Sequence, residues 1–116
     1  MKTTKESTYR DVVKNSSARG WFFGPFLEGE NYSENVKLKW GYHAKGEVYK
    51  SERKEEVERT VSILIRGAVT FEFPEQGESI TLSGEGDYLQ FDGSKTSHSL
   101  YFHEDSVVLT VRFPYN

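Results

Sequence analysis

TVSILIRGAVTFEF, residues 60–73, carries the reading of the fold. Its halves, 60–65 and 68–73, are rich in β-branched and aromatic residues, which suit the pleated surface of a strand. Between them stands Arg66-Gly67, where glycine supplies the positive φ that a tight hairpin demands. Downstream, residues 74–77 turn the chain, and short strand-like runs follow at 79–82, 88–91, 97–102 and 107–113, separated by GEGD, DGSK and HEDS turns. Upstream, Val36, Leu38, Trp40 and Tyr42 alternate with Lys37, Lys39 and Gly41, which predicts a strand with one buried face. The aromatic run WFFGPFL, residues 21–27, reads as an edge strand bent at Gly24-Pro25. About eight strands without a convincing helix predict an all-β domain, either a sandwich or a closed double sheet. Its expected core includes Trp40, Ile63, Leu64, Phe71 and Val111.

The chain has 116 residues, the size of one domain, and it reads as a polar arm over 1–17 followed by a single domain over 18–116. Only 35% of the residues are hydrophobic, but 15% are aromatic, and each ring buries about 150–250 Å², enough to build one core. Fifteen Lys and Arg against eighteen Asp and Glu leave a formal charge of −3, with the basic residues scattered, so a nucleic-acid footprint is excluded. Ten of the charges crowd into residues 44–59, which predicts a solvated loop. The absence of cysteine excludes disulfides and thiolate metal sites and fits a reducing compartment. No stretch approaches the ~20 apolar residues of a membrane span. The expected location is cytoplasmic, with no membrane partner.

Two stretches resemble the paired motifs of the cupin superfamily. TVSILIRG, residues 60–67, is similar to the strand and turn closing the first motif, with Gly67 at the turn glycine. GDYLQFDGSKTSH, residues 86–98, is similar to the second motif, with Gly86, Asp87 and His98 matching in kind. Lys45-Gly46 resembles a Pro-Gly pair upstream of the first motif, while residues 108–114 and 20–26 are similar to the last and first strands of small stand-alone cupins. The resemblance implies a jelly-roll barrel, or double-stranded sandwich, that holds a small molecule inside.

A metal-binding cupin offers His-x-His and Glu from the first motif and His from the second, because a divalent ion needs several converging donors. Here Thr60 stands at the position of that Glu, no His-x-His lies between Gly46 and Thr60, and Asp92-Gly93 replaces a proline turn. The expectation is therefore a barrel that binds a small polar ligand without a complete metal site, its candidate residues being His98, Thr60, Ser62, His43, Tyr88 and Arg112. If Thr60 faces inward, Ser62, Leu64 and Arg66 share its face, and Val108, Thr110 and Arg112 form one face of the last strand. An arginine inside a barrel must be paired or must bind an anion. Strict alternation places His43 with Lys37 and Lys39, opposite Trp40. The alternative is a metal-dependent isomerase or dioxygenase in which a divalent metal is held by His43, His98 and a third ligand such as Glu47. The ring-rich segment at 21–26 further suggests a homodimer formed at that edge.

Overall fold

The computed structural model describes residues 20–25, 32–51, 58–92 and 97–114. The arm at 1–17, the end of the aromatic run at 26–27, the charged stretch 52–57 and most of the DGSK turn lie outside the described residues.

Nine strands are formed among them: β1 (Trp21–Phe23), β2 (Lys37–His43), β3 (Val48–Ser51), β4 (Glu58–Arg66), β5 (Val69–Phe73), β6 (Glu78–Leu82), β7 (Tyr88–Phe91), β8 (His98–Phe102) and β9 (Ser106–Pro114). They build two antiparallel sheets, ordered β1-β2-β9-β4-β7 and β3-β8-β5-β6. The sheets face each other as a sandwich, and among the described residues no ladder joins their edges into a closed barrel. No helix is long and apolar enough to cross a membrane. β3 corrects the expectation of an unbroken charged loop: Val48 and Tyr49 pair with Tyr101 and Leu100 of β8, so tertiary pairing overrides the local charge density.

The Arg66-Gly67 turn is a sheet-crossing corner rather than a hairpin. β4 pairs with β7 and β9, whereas β5 pairs with β6 and β8. A register shift between Leu64 and Arg66 lifts the chain out of the first sheet. Gly67 then takes φ 106° so close to β9 that an added Cβ would lie 2.1 Å from Ser106 Oγ. That hydroxyl, fully buried, accepts from Ala68 N at 3.1 Å and donates to the Glu104 carbonyl at 2.7 Å. It ties the two corners at this end of the sandwich together. A third corner, between β6 and β7, explains the Gly86-Asp87 pair: the Asp87 carboxylate accepts from Gly84 N at 2.8 Å, and the Asp87 carbonyl accepts from Leu64 N at 2.8 Å.

Leu64, Val69, Phe71, Phe73, Leu82, Leu89, Leu100, Phe102 and Val108 pack as one buried cluster between the sheets. Of the expected core, Leu64 and Phe71 are there, while Trp40, Ile63 and Val111 are only half-buried. The reason is an inverted face. Lys37, Lys39, Gly41 and His43 of β2 pair in unbroken register with Arg112, Thr110, Val108 and Ser106 of β9, and this set faces inward. Leu38, Trp40 and Tyr42 therefore point outward, where Leu38 and Trp40 oppose Val111 and Leu109, and Tyr42 is 53% exposed. Ile63 lies on the same outer face, because Thr60, Ser62 and Leu64 take the inner positions of β4.

Candidate functional site

The inward residues change character along the sandwich. At the Gly67 end Leu64 and Val108 oppose Phe102 and Val69, and the space is filled. Toward the other end the first sheet presents Thr60, Ser62, Thr110, Lys39 and Arg112, and the second presents His98 and Tyr49. Hydroxyls and long cations do not fill space as branched aliphatics do, and the sheets leave a recess open to solvent with about 40 Å³ of free space inside it. Phe71, Phe91 and Leu100 form its apolar floor and wall.

Thr60 is 2% exposed, Ser62 4% and His98 6%, so the polar groups at the inner end are shielded from bulk water. Register explains their meeting: Thr60 opposes Arg112 on one side and Phe91 on the other, while His98, on the facing sheet, packs edge-on against Phe91 with ring centroids 4.7 Å apart. Its ring also lies 5.8 Å from Phe73 and 6.5 Å from Phe71. Aromatic packing on three sides fixes the imidazole's direction. Thr60 Oγ1 is buried and has no hydrogen-bond partner among the described residues.

The mouth is cationic and aromatic. Lys39 Nζ sits 5.8 Å from the Trp21 ring centre and 5.3 Å from that of Tyr49, and the Arg112 guanidinium lies 5.3 Å from Trp21. Their stems run along rings while the charged heads reach the open space, which is how such residues can face inward. Lys37, on the same face, is held by Glu58 at 2.6 Å.

Of the six residues singled out in the sequence, His98, Thr60, Ser62, His43 and Arg112 line this one recess. His43 stands at its far side, stacked on Phe102 at 4.1 Å with its Nδ1 against the Glu47 carboxylate. Tyr88 does not join them: it is 66% exposed on the outer face, one residue out of phase with the inward Leu89. Sequence reasoning passed over Lys39, Thr110 and Tyr49. The signal for Lys39 was its alternation with hydrophobic residues, taken there as the face opposite the buried one, and Thr110 was grouped with Arg112 on one face without being made a candidate. Tyr49 was hidden inside the charged stretch. Among the described residues no group of three or more His, Asp or Glu side chains is placed to hold a metal ion. The polar groups that converge are the hydroxyls of Thr60, Ser62, Thr110 and Tyr49, the imidazoles of His43 and His98, and the cations of Lys39 and Arg112.

This architecture and its polar interior can be set beside known proteins. An RmlC-like cupin protein from Desulfovibrio desulfuricans superposes with a TM-score of 0.62 at 19% identity, covering 98% of this chain and 97% of that one. The chain has the cupin fold. A second cupin-fold likeness is to KdgF from Halomonas sp., with a TM-score of 0.60 at 22% identity over 72% of this chain and 73% of that one. The Cupin_2 domain of an XRE-family transcriptional regulator from Enterobacter cloacae matches with a TM-score of 0.58 at 19% identity, over 71% and 83% of the two chains. No protein-family model matches the chain, and no curated protein does. At these identities the cupin likeness speaks for architecture alone, since one fold hosts many activities.

Proposed function

We propose that this cupin-fold chain binds a small polar ligand in the recess between its sheets, without a complete metal site. The observation that carries the reading is the Thr60 hydroxyl, buried at the inner end without a hydrogen-bond partner. Leaving such a group unsatisfied costs about 1–3 kcal/mol, a cost that a ligand accepting or donating one hydrogen bond removes. Ser62 and His98 beside it supply further donors and acceptors, and Phe71, Phe91 and Leu100 offer apolar contact to the ligand's carbon skeleton.

Thermal-shift screening of the purified protein against monosaccharides, amino acids, dicarboxylates and phosphate tests the reading. At least one compound should raise the melting temperature, and His98→Ala should weaken its binding at least about fivefold, the worth of about one hydrogen bond. The melting temperature of the protein alone should be unchanged by an uncharged chelator such as phenanthroline. No shift with any compound would count against the proposal. So would a metal bound by three or more protein ligands including His98, detected by elemental analysis and crystallography.

The chain is also proposed to form a homodimer. Among the described residues β1 is the outermost strand of its sheet, and it carries Trp21, Phe22 and Phe23, a ring-rich strand of the kind that a second copy can pack against. Sedimentation velocity at high micromolar concentration should show a species of twice the chain mass, whereas a monomer there would overturn the dimer.

A further inference from the structure

The charges around the recess narrow the class of ligand. Inward and at the mouth stand three cations from adjacent strands, Lys37 and Lys39 of β2 and Arg112 of β9. Lys37 is neutralised by Glu58. Among the described residues Arg112 has no carboxylate partner: its contact is the Trp21 ring at 5.3 Å, which leaves its N–H donors to be satisfied elsewhere. The carboxylate of Glu47 lies at the far side of the recess, engaged by His43. Arg112 is paired across the sheet with Thr60, whose buried hydroxyl also lacks a partner. Two neighbouring groups of one face, a forked cation and a buried hydroxyl, thus aim into the same space with their hydrogen bonds unmade.

Resting on the reading that the recess binds a small ligand, we propose that this ligand is an organic anion whose carboxylate or phosphate group is held by Arg112, with Thr60 Oγ1 donating to one of its oxygens. A guanidinium matches both groups with two parallel N–H···O bonds, and both form charge-assisted bonds stronger than neutral ones. Ser62 and His98 line the same recess and face the ligand's body. The floor of Phe71, Phe91 and Leu100 offers that body apolar contact.

Isothermal titration in low-chloride buffer, using inorganic phosphate, malonate and citrate with uncharged xylose as comparison, tests the assignment. At least one anion should bind and xylose should not. Arg112→Gln should weaken anion binding at least about tenfold, as loss of a charged hydrogen bond does, and Arg112→Lys by a smaller factor because it keeps charge but loses the fork. Thr60→Val, close in shape, should weaken it several-fold. Arg66→Gln, which removes an exposed arginine outside the recess, should leave it unchanged. The stronger of phosphate and the carboxylates identifies the head group. Xylose or another neutral compound binding while all three anions fail would overturn the anion and leave the recess as a ligand site. Silence with every compound would remove both readings. Anion binding unaltered in folded Arg112→Gln, Arg112→Lys and Thr60→Val, each checked by circular dichroism, would overturn the assignment of the residues.

Discussion

Gly67→Ala is expected to lower folding stability by about 3 kcal/mol or more, adding the ~1–2 kcal/mol of a left-handed backbone at a residue with a side chain to the ~1–3 kcal/mol of overpacking. The added Cβ would meet Ser106 Oγ at 2.1 Å, Ser106 Cβ at 2.6 Å and the Asp105 carbonyl at 2.7 Å. None of these can retreat cheaply. Ser106 is fully buried and its hydroxyl bridges Ala68 N and the Glu104 carbonyl, so moving it breaks bonds that join two sheet-crossing corners. Urea denaturation should show a lower midpoint with little change in slope, and the melting temperature should fall by roughly 10–20 °C. A loss below about 1 kcal/mol would mean that the corner relaxes freely, against the packing described here. Ser106→Ala removes the nearest of these three atoms and the bridge together, while the Cβ of position 106 and the Asp105 carbonyl stay: in that background Gly67→Ala should cost less than in the parent, but not nothing.

Phe71→Ala is expected to cost about 3–5 kcal/mol, the range for removing a large buried ring. Phe71 is 1% exposed, belongs to the central cluster and also forms the floor of the recess, with its ring 6.2 Å from Phe91 and 6.5 Å from His98. Its loss should therefore loosen the wall that directs His98 as well as the core, and any ligand found in the screen above should bind more weakly at temperatures where the variant is still folded. Phe71→Leu, which keeps most of the volume, should cost clearly less. Ile63→Ala provides the comparison that tests the inverted face of the first sheet. Ile63 stands beside Leu64 in sequence but lies half-buried on the outer face, so its truncation should cost about 1 kcal/mol, well below the core value. Equal losses at Phe71 and Ile63 in urea titrations would contradict the assignment of faces.

The places where strands occur were legible in the sequence, for a local reason. β-branched and aromatic runs bounded by Gly, Asp and Ser turns reflect preferences that each segment carries with it, and β2 and β4 to β9 lie within a residue or two of where that pattern puts them. Pairings within a face were legible as well: Thr60 with Ser62, and Thr110 with Arg112, follow from the period of two, which no tertiary contact alters without a bulge. The resemblance of two motifs supplied the architecture, and it brought His98 and Thr60 to the same recess.

Tertiary structure alone decided which side of each sheet is inside. Alternation separates two faces but does not say which one meets the opposite sheet, and in β2 the face with Leu38, Trp40 and Tyr42 was the natural choice on hydrophobicity. The facing sheet settles the matter the other way. Its inner surface ends in His98, Ser51 and Tyr49, which leave space that Lys39 can occupy with its head at the mouth, while Trp40 finds Leu109 across the outer face. The same non-local cause made Gly67 a corner instead of a hairpin, since the partners of β4 and β5 lie on β7, β9, β6 and β8, segments that meet them only once the two sheets have formed. β3 is a strand only because β8 offers it an edge. Local chemistry, then, determined where this chain extends and turns, and the packing of one sheet on the other determined which residues its interior would receive.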